Sequence, residues 1–139
     1  VDDVTLTQRV CELLAAATSW AWRSAGPAYT SSEVGLFYGA LGAVPDRAVA
    51  VAVYGTDDDV ATGLGTRRVQ VRYRGAKNTP AGADALAELG FTALHDTYPG
   101  GGIARIARVS SARLGADENG RQERTDNYQV ILDNPEATL

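Results

Sequence analysis

The sequence predicts an α+β domain: two helices packed against an antiparallel or mixed β-sheet. Three observations carry this. Two segments, 5–17 and 78–96, repeat apolar residues at helical spacing. Five other segments alternate or run apolar as strands do. Between the last two strands stands Asn119-Gly120, a pair that marks a tight hairpin. The order is helix, three strands, helix, two strands, in a single domain over 1–139 with no internal repeat or linker.

The first helix is read in "TLTQRVCELLAAA", with Thr5 as N-cap and Gln8 completing a capping box. Val10, Leu13, Leu14 and Ala17 mark its buried face, with Cys11 beside it as a small packing residue. "SWAWRSAGP" should end it near Gly26-Pro27. "EVGLFYGAL" reads as a short strand. "RAVAVAVYG" reads as a central one, because both its valine face and its alanine face are apolar. "TDDDVATGLGT" is a polar loop. Its Asp57, Asp58 and Asp59 could suggest a metal site, but nothing at a suitable spacing completes one, so a solvated loop is expected.

In "RRVQVRYRG", Val69, Val71 and Tyr73 face one side, and Arg68, Gln70, Arg72 and Arg74 the other. The arginine stripe is read as a structural or protein-contact face ahead of a phosphate-binding one. The second helix lies in "NTPAGADALAELGFTALHD", with Thr79 as N-cap, Pro80 at its first position, and Ala83, Leu86, Ala87 and Leu94 buried. Gly90 should kink or loosen it. His95, the only histidine, ends it, where a cationic ring would suit the helix dipole. No Ser or Cys motif makes His95 a general base. "YPGGGI" is a turn, since neither phosphate-loop pattern is present.

"GIARIARVSSA" and "RQERTDNYQVILD" close the domain as strands, with Tyr128, Val130 and Leu132 inward. The loop between them, "GADENG", resembles a calcium loop if Gly120 takes the glycine position, since Asp117, Asn119 and Asp126 then fall on ligand positions. Gly115 at the first ligand position has no side chain, and strands rather than helices flank the loop. It is therefore expected to be a type I′ hairpin tip. That places Glu118 opposite Arg121, Val109 opposite Val130 and Ala107 opposite Leu132.

Composition narrows the function classes. With 45% hydrophobic and 22% charged residues the chain can bury a core. A net charge of −4 argues against a generally basic nucleic-acid surface. The lone cysteine forbids an intrachain disulfide. No apolar run reaches membrane-spanning length, and "VDDVTLTQRV" does not read as a signal peptide.

The ordered set "GLFYGALGAVPDRAVAVAVYG", "RRVQVRYRG", "ALAELGFTALHD" and "RVSSARLGADENGRQERTDNYQVILD" resembles the tail terminator or minor capsid proteins of long-tailed, siphovirus-like bacteriophages. The matched features are Pro45-Asp46 before an apolar strand, "VQVRYRG", "ALHD", and "LGADENGR" before "NYQVILD". The resemblance covers almost the whole chain. It implies a tail-terminator-like fold and a structural virion protein, not an enzyme, made in the host cytoplasm and needing no cofactor. Its expected partners are itself, in a ring of six, the tail tube protein, and the head–tail connector or neck protein. DNA would pass through the lumen without specific binding. The near-absence of lysine (Lys77 alone) and the abundant alanine suggest a GC-rich host, and the resemblance implies an actinobacterial one. Subunit or tube contacts are expected at Arg68, Arg72, Arg74, Asp57, Asp58, Asp59, Asp117, Glu118 and Arg121. The alternative is a small nucleic-acid-binding or hydrolytic α+β domain.

Overall fold

The computed structural model describes residues 1–133. Helix α1 spans Asp3–Ala17. Its N-cap is Asp2, not Thr5. The Asp2 Oδ1 accepts the Thr5 N–H at 2.7 Å, a better cap for the helix dipole than a hydroxyl. Leu6, Val10, Cys11 and Leu14 face the core, while Leu13 is half-buried and Ala17 exposed. The helix stops at Thr18, well before Gly26-Pro27. There the chain becomes extended and the Thr18 hydroxyl donates to the Leu14 carbonyl. The freed segment adds a strand that periodicity did not indicate, β1 (Ala21–Trp22). Two residues are too few to show a period.

The remaining strands are β2 (Gly35–Tyr38), β3 (Ala48–Asp58), β4 (Gly65–Lys77), β5 (Ile103–Ala116) and β6 (Arg121–Leu132). They form one sheet in the order β1-β2-β3-β4-β6-β5. β1, β2 and β3 run parallel and the other pairs antiparallel, so the sheet is mixed and the domain α+β. Both helices lie on one face. Between helices and sheet sit Leu36, Val49, Val51, Val69, Val71, Tyr73, Ile103, Ile106, Tyr128, Val130 and Leu132, all buried. Val53 is only partly buried, because β2 ends before reaching it. The alanine face of β3 is covered at Ala48 and Ala50 by residues 39–46 and opens beyond them.

Helix α2 spans Gly82–Leu94. Its N-cap is Ala81, which offers no side-chain bond. Asn78 turns the chain at φ 54°, and Thr79 and Pro80 are used in a turn whose Thr79 carbonyl accepts from the Gly82 N–H. Gly90 does not kink the helix. It lets α2 settle onto Tyr73, whose hydroxyl would lie 1.9 Å from a Cβ at that position. His95 caps the helix, and its Nδ1 accepts the Arg108 N–H at 3.0 Å, which ties the helix end to β5. Its ring stacks on Phe91, which also carries the Arg108 guanidinium at 4.0 Å.

The final hairpin is present with a different turn. The Asp117 carbonyl accepts from Gly120, and Arg121 closes onto the Asp117 N–H. Gly120 takes φ 73° and Asn119 does not take a positive φ, so the loop is an ordinary turn followed by a left-handed glycine, longer than a two-residue type I′ turn. The register moves accordingly. Ile106, not Val109, pairs with Val130, and Ile103, not Ala107, pairs with Leu132. Val109 falls in a bulge between Arg108 and Ser110 and is half-exposed. A bulge lets a strand absorb an extra residue while keeping its apolar set inward.

Candidate functional site

The sheet face opposite the helices carries the arginine stripe. Cross-strand pairing aligns Ala48, Ala50 and Ala52 with Arg74, Arg72 and Gln70, and these in turn with Glu123, Thr125 and Asn127. Small alanines beside long polar side chains leave a shallow trough of about 410 Å³. Ala50 and Ala52 line it together with Arg72, Arg74, Asp117, Arg121, Glu123 and residues 39–41.

The arginines of this face have distinct jobs. Arg74 is buried, and its guanidinium donates to the backbone carbonyls of Gly42, Pro45 and Asp46 at 2.7–2.8 Å. Burial, with help from Arg121, lowers its pKa. Arg121 donates to the Ala43 carbonyl at 2.9 Å, the Asp46 carboxylate at 3.2 Å and Asp117 at 2.8 Å. Together they tie the 39–46 loop to β4 and to the hairpin. Arg72 is bound to Glu123 at 2.6 Å. Arg68 lies exposed across Gly55.

The acidic residues occupy opposite ends of the sheet. Asp57–Asp59 close β3 at the end where β6 finishes, and Asp117 and Glu118 form the hairpin tip where β6 starts. Asp58 binds Arg67 at 2.6 Å, and the Asp59 carboxylate accepts the Ala61 N–H of its own turn. Asp117 turns inward to the Asn119 and Arg121 N–H groups. The Arg121 N–H first, then its side chain and Asn119, hold that carboxyl below the usual range. These contacts leave no convergent set of free oxygens. Among the described residues no group of three or more His, Cys, Asp or Glu is placed to hold a metal ion.

Cys11 and His95 are both engaged by the fold. Cys11 is buried, and burial first, then Glu12, pushes its thiol up to about 12. A thiol so raised stays protonated and inert. His95 Nδ1 is occupied by backbone. No helix among the described residues is long and apolar enough to cross a membrane.

One charged cluster went unforeseen. On the helix-bearing face Arg124 binds Asp126 at 2.9 Å and Asp84 of α2 at 3.0 Å, and Arg108 reaches Asp126 at 3.5 Å. Asp126 is fully buried. The alternation of β6 already puts 124, 126 and 128 on one side, and opposite charges two residues apart on an inward face are the signal that was available. This cluster anchors α2 to the sheet and is closed to solvent at its centre.

Over the described residues the sheet thus presents an arginine-bearing face with acidic loops at its two ends. No curated protein matches the chain significantly. A family model described as bacteriophage tail terminator protein matches residues 13–134. That match takes in every strand and α2, and the chain belongs to the bacteriophage tail terminator family, making it a structural component of a phage tail.

Proposed function

We propose that this tail protein closes into a ring, of six copies, at the head-proximal end of the tail tube. There it ends tube growth and joins the tube to the head–tail connector, as a minor capsid component of a long-tailed phage of a GC-rich, actinobacterial host. The observation that carries the reading is the family match over 13–134. Two features support it. A closed ring needs two different patches on each subunit, and this sheet has acidic loops at both ends with the exposed Arg68 between them. The net charge of −4 also suits a channel that lets DNA pass without gripping it.

The nucleic-acid alternative loses ground, because Arg72, Arg74 and Arg121 already hold partners within the chain. The hydrolytic alternative loses ground as well, because Cys11 is buried, His95 Nδ1 is taken by the backbone, and Asp58 and Asp59 hold partners within the chain. The test is to delete the gene and inspect the tails by electron microscopy. Overlong or unterminated tubes that fail to join heads are expected. Tails of normal length on filled heads would refute the proposal.

A further inference from the structure

The geometry points to the means of ring closure: the free edge of β3 in one copy pairs, antiparallel, with the free edge of β5 in the next. This rests on the ring reading above and specifies its interface.

Both edges are open for half a strand. β2 covers β3 only from Ala48 to Val51, so from Gly55 to Asp58 β3 is hydrogen-bonded on its β4 side alone. On β5, bridges to Thr97 and Gly100 and the His95 contact at Arg108 occupy the outer side up to Arg108. Beyond it, among the described residues, only β6 pairs with the strand, and residues 109–116 are all exposed. Rows of unpaired N–H and C=O groups are templates for another strand.

The two open stretches match in length. A bulge after Val53 leaves Gly55–Asp58 regular, and bulges at Arg108/Ser110 and Arg113/Gly115 leave Ser110–Arg113 regular: four residues against four. They match in direction, because β3 and β5 run oppositely within one copy, so neighbours in a ring meet antiparallel. They also match in charge. Asp58 faces the helix side of the sheet with its β4 partner Gly65, and Arg113 faces the same side with Arg124. Joined with the helices on one side, Asp58 meets Ser111, Asp57 meets Ala112 and Thr56 meets Arg113, so the two charged side chains stand one diagonal step apart. Arg113 binds Asp84 at 3.2 Å and Asp58 binds Arg67 at 2.6 Å, but at 70% and 61% exposed each keeps a side open to a second partner.

The edges also differ in height. The β3 edge lies at the Leu132 end of the sheet and the β5 edge at the Arg121 end. Each joint is therefore staggered. A closed assembly absorbs such stagger by tilting its strands to the axis, as any closed sheet does.

Solution mass measurement, alone and with tail tube subunits, is paired with hydrogen exchange on the assembled and unassembled chain. Amides in 55–58 and 110–113 should both slow by about tenfold or more on assembly. Arg113→Glu and Asp58→Arg should each weaken assembly by about tenfold, and the double reversal should recover it, with circular dichroism unchanged throughout. A ring that forms while these amides stay unprotected overturns this inference and leaves the ring reading standing. A chain that stays monomeric even with tube subunits overturns both.

Discussion

Replacing Gly90 with Ala should destabilise the domain by about 2 kcal/mol, against the usual rule. In an exposed helix interior the change gains about 1 kcal/mol. Here the new methyl would sit 1.9 Å from the Tyr73 hydroxyl oxygen and 2.8 Å from Cζ. Tyr73 cannot retreat. It is fully buried on a central strand, with the Trp20 ring against it at 6.1 Å. The helix must therefore lift by about an ångström, loosening Ala83, Ala87 and Leu94. Overpacking of this kind costs about 1–3 kcal/mol, and the upper end applies because neither partner is flexible. Subtracting the helix gain leaves about 2 kcal/mol.

Tyr73→Phe isolates the cause. The Tyr73 and Tyr128 hydroxyls are buried and neither makes a good hydrogen bond, so removing one should cost little. In that background the nearest atom to the new methyl is Cζ, and the Gly90→Ala penalty should shrink by about 1 kcal/mol, read as coupling in a double-mutant cycle. Urea unfolding followed by tryptophan fluorescence and circular dichroism measures all four proteins. A Gly90→Ala variant as stable as the parent, or more so, would refute the reasoning.

Other outcomes follow from the same structure. Arg74→Met should cost about 2–3 kcal/mol, because it orphans three carbonyls, while Arg68→Met should stay within about 0.5 kcal/mol; equal effects in urea melts would contradict the division of the stripe. Glu33 is held down to about 2 by Arg23 first and the Thr30 N–H second, so its folded pKa is depressed from 4.5. Its contribution is present above about pH 4.5 and lost as pH falls toward 2, and Glu33→Gln should flatten the urea midpoint over that window. Gly120→Val should destabilise by about 1–2 kcal/mol, because a β-branched residue resists φ 73°. Calcium should leave the melting temperature unchanged; a rise of several degrees at sub-millimolar calcium would contradict the hairpin reading.

Legibility followed period. Eleven residues of β3 and thirteen of β4 declare their faces, and the inward valines at 49, 51, 69 and 71 were readable because each repeats its neighbour's choice. β1 has two residues and no period to show. The first cap was misplaced because the Thr5–Gln8 spacing imitates a capping box, whereas the Asp2 carboxylate takes the Thr5 amide and starts the helix earlier. The hairpin register failed because bulges in β5 absorb residues that strict alternation counts. The arginine stripe was visible as a face, but not its division. Arg74 and Arg68 look alike in sequence, and only the 39–46 loop, folded over one end of the sheet, makes one a clamp and leaves the other free.

That clamp has a mechanical consequence. Arg121 belongs to the hairpin and grips Asp117 at its tip as well as Ala43 and Asp46, while Arg74 holds the same loop from the sheet's interior. A sideways push on Glu118 is therefore carried through two guanidinium groups into β4 instead of being spent in bending the arm. The hairpin behaves as a short stiff strut rooted in the core. A molecule docking on its tip would meet it already set in position, with little ordering entropy left to lose.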